Sequence, residues 1–364
     1  MGEKEIQMLT KTCTRFLHSW YPQTPKQELS ELAAYTDRET DVDHYGEGEL
    51  ITAFEADMAR FLGKEAAVFM PSGTMCQPIA LRIWTDQRKL PRVAFHPTCH
   101  LELHEQQGYR KLHNLESVLV GPAHRLLTLE DLQALSEPIG ALLLELPQRE
   151  IGGQLPSWED LNAIIRWARE KGIATHLDGA RLWECQPFYG REYTEIAGLF
   201  ESVYVSFYKG LGGIAGALLA GPADFIAEAR VWQRRQGGNL IHLYPFVLAA
   251  RKGFTERLSK LGTYHAKAKE IAAVLSSFPH IEIVPNPPHT NMMHVFVQGD
   301  HDQLLDASLK IAQETKTLLF ARLAPTIVPR WSKFELTIGD ASLDLRNEEI
   351  TELFTRLFST AGNV

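Results

Sequence analysis

Between residues 43 and 251, hydrophobic positions recur at two different spacings. In GELITAFEADMARFLG, Leu50, Phe54 and Met58 lie at helical spacing and the pattern stops at Gly63, which predicts a helix. TMCQPIALRIWTD predicts a second helix, in which Pro78 is tolerated within the first turns. The short runs EAAVFMPSG, RVAFHP, YRKLHNL and GALLLELP predict strands.

The same alternation continues through the next segments. SWEDLNAIIRWAREKG predicts an amphipathic helix with Ser157 as its N-cap, and two acidic residues follow in the first turn. IATHLD, SVYVSF and GALLAGP predict three further strands. Because strands and helices alternate over this long region, we expect a largely parallel sheet that is covered on both faces.

The pattern changes after residue 251, where long helices alternate with the shorter strand signals IEIVP, MMHVFV and FELTI. We therefore predict three regions. A polar N-terminal segment, residues 1–42, packs on the small domain. Residues 43–251 form the large domain, and residues 252–364 form a smaller C-terminal α+β domain.

Composition and charge exclude several classes of protein. The 364 residues carry a net charge of -8 and no long basic tract, which argues against nucleic-acid binding. No signal-peptide core and no membrane-length apolar run occur, so we expect a cytoplasmic protein without a membrane partner. The four cysteines lack metal-ligand spacing, so we expect buried free thiols and no metal site: Cys13, Cys76, Cys99 and Cys185.

Polar residues that can carry chemistry follow three of the predicted strands. A turn in MPSGT contains Ser72 and Thr74 ahead of a helix, where backbone N–H groups can bind phosphate. Asp178 ends the strand IATHLD, and Lys209 follows SVYVSF. Each signal alone has a simpler explanation, because Ser-Gly-Thr turns and aspartates often cap helices and a lone lysine often lies on the surface.

Together, these residues are the set that pyridoxal phosphate requires. The lysine amine forms a Schiff base with the cofactor aldehyde, and the carboxylate pairs with the pyridine nitrogen and keeps it protonated. Ser206, three residues before Lys209, is placed to add a hydroxyl to the phosphate site. Because ligands of open parallel sheets bind at the carboxyl ends of the strands, we expect Asp178 and Lys209 to lie close together there.

Several segments also resemble one known family: HYGEGELITAFEADMARFLGKEAAVFMPSGTM, GGQLP, HLDGARL, SFYKGLGG and GALLAGPADFIAEAR. They are similar to the low-specificity L-threonine aldolases of the β-eliminating lyases. The resemblance covers residues 43–255 and implies an α/β large domain of the aspartate-aminotransferase type (fold type I). It also implies a homodimer or homotetramer whose site lies at a subunit interface.

The resemblance assigns roles to individual residues. Lys209 would bind the cofactor, Asp178 would pair with its pyridine nitrogen, and Arg181 would reach the cofactor hydroxyl and the substrate carboxylate. In CHLELHEQQGY, His100 would stack on the pyridine ring and Glu105 would follow as an acid. The phosphate would be held by a turn of three residues: Ser72, Gly73 and Thr74.

The sequence departs from the family pattern at three positions. Tyr208 stands where a serine usually precedes the lysine, and Ile241 replaces an arginine associated with a neighbouring subunit's phosphate. Phe334 aligns with a C-terminal arginine that binds the substrate carboxylate, for which Arg330 or Lys333 could substitute. The cofactor site is therefore better matched than the substrate site.

The resemblance implies retro-aldol cleavage of L-threonine or a related β-hydroxy-α-amino acid to glycine and an aldehyde. The proton acceptor could be His100, His104 or a water held by Glu105. Two alternatives stay open: β-elimination, β-replacement or aminotransfer on another amino acid, and a domain retained only for binding. A binding domain has no need of a Schiff-base lysine, which argues against the second alternative.

Overall fold

The computed structural model describes residues 3–37 and 40–362, which form two compact units. Within this range the larger unit comprises residues 28–37, 40–151 and 155–259. The smaller unit comprises residues 3–27, 152–154 and 260–362. Residues 28–37, 40–42 and 252–259 group with the larger unit, whereas our sequence-based boundaries after residues 42 and 251 placed them outside the large domain.

Helices and strands alternate along much of the chain. The helices are α1 (Glu3–Thr12), α2 (Pro25–Tyr35), α3 (Glu49–Phe61), α4 (Gly73–Arg88), α5 (His100–Leu103), α6 (Gly108–His113), α7 (Leu129–Gln133), α8 (Trp158–Glu170), α9 (Gln186–Tyr189), α10 (Tyr193–Gly198), α11 (Ala223–Arg235), α12 (Tyr244–Arg257), α13 (Leu261–Leu275), α14 (His301–Thr315), α15 (Asp340–Leu343) and α16 (Asn347–Thr360). The strands are β1 (Arg15–Phe16), β2 (Ala66–Met70), β3 (Arg92–Phe95), β4 (Glu116–Leu119), β5 (Ala141–Glu145), β6 (Ala174–Gly179), β7 (Ser202–Ser206), β8 (Ala217–Gly221), β9 (Ile281–Val284), β10 (Met292–Gln298), β11 (Thr317–Leu318), β12 (Ala324–Pro325) and β13 (Trp331–Thr337).

A seven-stranded sheet in the order β2-β8-β7-β6-β5-β3-β4 forms the centre of the larger unit. Strands β3 to β7 pair in parallel, whereas β8 runs antiparallel to both β2 and β7. Every residue of β6 and β7 is buried, as expected for strands that are covered on both faces. The predicted α/β class with a mainly parallel sheet is thus confirmed.

Helix α4 carries much of the packing against this sheet. Its buried residues include Cys76, Ile79, Ala80 and Ile83, which recur at helical spacing and join an apolar core cluster of the unit. Helix α8 begins as predicted, because the Ser157 hydroxyl accepts a hydrogen bond of 3.0 Å from the Asp160 backbone N–H.

One predicted strand, YRKLHNL, is wrong. The segment forms helix α6 and a following turn, and the strand β4 begins only at Glu116. Tyr109 and His113 are buried while Leu112 between them is 71% exposed. The buried positions are four residues apart, which is the spacing of one helical face rather than of a strand.

The smaller unit contains an antiparallel sheet in the order β12-β13-β10-β9, and β1 pairs in parallel with β11. Helix α16 contacts both α13 and α14 within this unit. This arrangement confirms the predicted α+β character of the C-terminal region.

Two further observations concern the cysteines and the length of the apolar helices. All four cysteines are buried and free, as predicted. Among the helices in residues 3–37 and 40–362, none is both long and apolar enough to cross a membrane.

Candidate active site

Four polar residues lie at or just after the carboxyl ends of β5, β6 and β7. Glu145 lies beside Asp178 in the β5–β6 ladder, and Asp178 lies beside Tyr204 in the β6–β7 ladder. Ser206 ends β7, and Lys209 follows three residues later. Parallel pairing places these strand ends along one edge of the sheet, which is where open α/β sheets bind their ligands.

Asp178 is held as a hydrogen-bond acceptor in the interior. Its side chain is almost completely buried, and Oδ1 accepts the Ala180 backbone N–H at 3.0 Å. Oδ2 accepts a hydrogen bond from the side-chain amide of Gln77, which comes from helix α4. Both carboxylate oxygens therefore accept hydrogen bonds, which suits a group that pairs with a protonated ring nitrogen.

Lys209 lies in the field of four other charged groups. Burial lowers the pKa of Lys209, and the positive charges of Arg181 and Arg149 lower it further. The negative charges of Asp178 and Glu145 raise it. The net lowered pKa increases the fraction of neutral amine near neutral pH. A neutral amine is the nucleophilic form that attacks an aldehyde.

The turn before helix α4 has the shape of an anion site. Ser72 is the N-cap, but within the described residues its side chain makes no capping bond to the first turn. Gly73 opens the helix directly against the Tyr204 hydroxyl, and Thr74 is exposed. Within the described residues, Ser206 Oγ is buried without a well-formed hydrogen bond, although the Tyr208 hydroxyl lies near it.

Replacing Gly73 by alanine is expected to destabilise the protein by about 1–3 kcal/mol. The added Cβ would overlap with the hydroxyl and ring of Tyr204, which is itself buried in the sheet. Urea unfolding of Gly73→Ala measures the loss. Gly198→Ala is the matched control, because a Cβ at this last residue of helix α10 meets no atom within 4 Å. Equal stability of the two variants would contradict the expected clash.

His100 and Glu105 form a pair beside these strand ends. His100 Nδ1 lies 2.9 Å from Glu105 Oε1, and the His100 backbone N–H donates to Glu145 Oε2 at 3.3 Å. The Glu105 side chain is 3% exposed, whereas that of His100 is 31% exposed. His104 lies 5.1 Å from His100 between ring centroids, and its Nε2 lies 2.8 Å from Glu150 Oε1.

Glu145 is a half-buried carboxylate that the sequence reasoning missed. It accepts hydrogen bonds from His100, from Gln148 Nε2 at 3.2 Å and from the Arg149 backbone N–H at 3.2 Å. Burial and the Asp178 charge raise the pKa of Glu145 to about 7. A signal was present, because Glu145 ends the apolar run ALLLE just as Asp178 ends its own strand.

The raised pKa makes the stability of the cofactor-free protein depend on pH through Glu145. Between the ordinary pKa of 4.5 and about 7, the folded protein binds a proton that the unfolded chain releases. The contribution of Glu145 to the free energy of unfolding is therefore present at pH 5. It falls by about 2–3 kcal/mol as the pH rises to 8. Urea unfolding of the wild type and Glu145→Gln at both pH values should show this difference. A wild-type-to-variant difference that is independent of pH would contradict it.

The substrate-carboxylate candidates belong to the smaller unit. Lys333 is on β13, and its Nζ lies 3.5 Å from His294 Nδ1. Arg330 precedes the strand with a positive φ of 66°. Phe334 is buried and stacks on Phe320 with ring centroids 4.8 Å apart, so this position serves the apolar core of the unit.

The beta-eliminating lyase family matches residues 24–300, most of the chain. The chain belongs to this family. Enzymes of the family depend on pyridoxal 5'-phosphate, which confirms the predicted cofactor and the predicted enzyme class, a pyridoxal phosphate-dependent lyase.

Three individual relatives are similar to this chain over most of its length. Low-specificity L-threonine aldolase 1 of Arabidopsis thaliana is 28% identical over 299 residues, which cover 79% of this chain and 83% of the relative. A Listeria monocytogenes EGD-E structure provisionally assigned as an L-allo-threonine aldolase has 42% identity and a TM-score of 0.94, covering 98% of this chain and 99% of that one. An Exiguobacterium sp. 255-15 structure, provisionally assigned as an aromatic amino acid beta-eliminating lyase/threonine aldolase, has 42% identity and a TM-score of 0.93, covering the same shares.

The strand-end residues fit the cofactor. A buried carboxylate that only accepts hydrogen bonds suits a protonated pyridine nitrogen, and an amine with a lowered pKa suits an aldehyde. The start of helix α4, without a side-chain cap in the described residues and with Gly73 in its first turn, suits a phosphate. Gln77 and Glu145 were not predicted from the sequence, and only the folded structure places them beside the predicted residues.

Proposed function

We propose that this protein catalyses pyridoxal phosphate-dependent retro-aldol cleavage of L-threonine or a related β-hydroxy-α-amino acid to glycine and an aldehyde. The observation that carries the proposal is the group formed by Asp178, Arg181 and Lys209 at the ends of β6 and β7. The family and the relatives named as threonine aldolases support the same reaction.

The geometry around the strand ends supports the proposed cofactor-binding roles. Lys209 would hold the cofactor covalently and Asp178 would pair with its pyridine nitrogen. The turn of Ser72, Gly73 and Thr74, with the Ser206 hydroxyl, would bind the phosphate. When bound, pyridoxal phosphate accepts the electron pair of the bond that breaks at the substrate Cα.

Arg181 would bind the substrate carboxylate and the cofactor hydroxyl. It follows β6 directly, its side chain is 16% exposed, and its charge acts on Lys209. Glu184 Oε1 lies 3.9 Å from Arg181 Nε and helps to orient the guanidinium. A planar guanidinium binds a carboxylate through two parallel hydrogen bonds, which also orients the amino acid.

His100 would accept the proton of the substrate β-hydroxyl. The Glu105 carboxylate accepts a hydrogen bond from Nδ1, so the neutral ring carries its proton there and Nε2 has the free lone pair. His104 is less suitable because its Nε2 already contacts Glu150. Removing the hydroxyl proton allows the Cα–Cβ bond to break and the aldehyde to leave.

One observation favours a reaction other than retro-aldol cleavage. The position expected for the carboxylate-binding arginine is Phe334, which is buried and stacked in the smaller unit. A different mode of substrate binding would permit β-elimination, β-replacement or aminotransfer with the same cofactor. One relative provisionally assigned as a beta-eliminating lyase/threonine aldolase is compatible with either reaction.

Product analysis tests the proposal and separates the two reactions. The holoenzyme is incubated separately with L-threonine, L-allo-threonine and L-serine, and the products are quantified over time. We expect glycine and acetaldehyde in equal amounts from the first two substrates. Ammonia with 2-oxobutanoate from L-threonine, in place of glycine, would refute retro-aldol cleavage and favour elimination.

We also propose a homodimer or homotetramer in the cytoplasm. Large apolar side chains are exposed in the single chain, including Ile241 and, next to and shortly after Lys209 in the sequence, Tyr208 and Ile214. An apolar surface of this kind is typical of a subunit contact. Four buried free cysteines suit a reducing compartment. Light scattering coupled to size-exclusion chromatography tests the assembly, and a monomer at working concentration would contradict it.

A further inference from the structure

A row of buried side chains extends from Asp178 away from the strand end. Asp178 Oδ2 contacts Gln77 Nε2, and Gln77 Oε1 lies 3.1 Å from His176 Nε2. His176 Nδ1 lies 2.8 Å from Ser202 Oγ, which in turn lies 2.7 Å from Trp84 Nε1. The row joins helix α4 to β6 and β7. Apart from Asp178, none of these residues has a role in the reaction proposed above.

The chemistry of the two ends determines the direction of every bond. At one end a carboxylate only accepts, so Gln77 turns its amide NH₂ toward Asp178 and its oxygen toward His176. The His176 Nε2 atom must therefore carry the proton. At the other end the Trp84 indole only donates, which leaves the Ser202 hydrogen for His176 Nδ1.

Both ends thus require the same neutral form of His176. The ring is completely buried, and burial lowers the pKa of His176 to about 3, so it stays uncharged at any working pH. A row of donors and acceptors with one allowed direction leaves the Gln77 amide no alternative orientation. Its NH₂ group is held toward Asp178 in the absence of any ligand.

We propose that Gln77 and His176 are positioning residues that keep Asp178 ionised and aimed at the cofactor's pyridine nitrogen. Gln77 acts on the carboxylate directly, and His176 acts through Gln77. The hydrogen bond to an ionised oxygen stabilises the charged form of Asp178, and this charge keeps the ring nitrogen protonated. The inference rests on the proposed placement of pyridoxal phosphate at Asp178, and it does not depend on which substrate is cleaved.

The test uses two readouts that need no substrate. One is the dissociation constant of pyridoxal phosphate from the full-length protein. The other is the ¹⁵N chemical shift of the pyridine nitrogen in protein loaded with ¹⁵N-labelled cofactor. Gln77→Met keeps the side-chain length and removes both hydrogen bonds, whereas Gln77→Glu keeps the shape and places a second carboxyl group against Asp178.

We expect both Gln77 variants to bind the cofactor about 10- to 100-fold more weakly, with the ¹⁵N shift moving toward that of unprotonated pyridine. His176→Phe should change both readouts in the same direction but by less, about 3- to 10-fold in affinity, because it acts through Gln77. The matched control is Thr85→Val on the same helix, whose buried hydroxyl bonds only backbone carbonyls of α4 within the described residues. It should leave both readouts unchanged.

Two results would overturn the inference. The first is a wild-type ¹⁵N shift and affinity in a folded Gln77→Glu variant. The second is an equal loss in Thr85→Val, because the effect would then be one of helix packing. If Gln77→Met does not fold, the isosteric Gln77→Glu variant decides. A protein that binds the cofactor but leaves L-threonine intact would refute the proposed reaction without affecting either readout.

Discussion

Lys209→Ala is expected to lower turnover of L-threonine by at least about 1,000-fold, because it removes the amine that we propose binds the cofactor and exchanges with the substrate. Lys209 is the lysine that follows β7, and its amine lies in the field of Asp178, Arg181 and Glu145. Glycine formation under single-turnover and steady-state conditions measures the loss. Borohydride reduction of the wild-type holoenzyme, followed by peptide mass spectrometry, should place the cofactor on Lys209.

Lys64→Ala is the matched control for this variant. Burial also lowers the pKa of Lys64, to about 8, but its amine bonds the Phe200 backbone carbonyl between α10 and β7. A lowered lysine pKa is therefore present at both positions, and only Lys209 belongs to the strand-end group. Retained turnover in Lys209→Ala, or borohydride labelling at Lys64, would show that the cofactor is held elsewhere.

Asp178→Asn is expected to lower turnover by about 100- to 1,000-fold, a size typical of losing one aligned electrostatic group in an active site. The substitution removes the buried carboxylate that we propose pairs with the pyridine nitrogen, and it places an NH₂ group against the NH₂ of Gln77. Turnover number and Michaelis constant should be measured separately. We expect most of the loss in the turnover number, since in this proposal the carboxylate acts on the cofactor and not on the substrate.

Asp131→Asn provides the comparison for this second variant. Asp131 pairs with Arg125 and accepts the Thr128 backbone N–H, so the hydrogen bonds that it makes here are local to the start of α7. The substitution should reduce stability slightly and leave turnover unchanged. A turnover number for Asp178→Asn within a factor of about three of the wild type would contradict the assigned role.

The two predictions with smaller expected effects test other parts of the same site. The Gly73 variant tests the close approach of helix α4 to Tyr204, which shapes the phosphate turn. The pH dependence of Glu145 tests how strongly the strand ends are shielded from water. Both measurements can be made on protein without cofactor.

The sequence by itself determined the elements that depend on local pattern. The strands β2, β3 and β5 to β8 have runs of apolar residues, and the helices α3, α4 and α8 have apolar residues at helical spacing. Asp178 and Lys209 were predictable as neighbours because Asp178 lies at the end of one strand of a parallel sheet and Lys209 follows the next strand, and such strands end at one edge. Helix α6 was misread because a short segment with mixed exposure does not distinguish the two spacings.

Only the tertiary structure decided which side chains form hydrogen bonds with the charged residues at the strand ends. Gln77 lies in a run of apolar residues on α4, and nothing in that spacing shows that its amide meets Asp178 about one hundred residues later. Glu145 and His176 likewise gain their partners from strand pairing and from the helix that covers the sheet. Local spacing determines which face of an element is buried. The hydrogen-bond partner of a buried polar group depends on packing between elements that are distant in sequence.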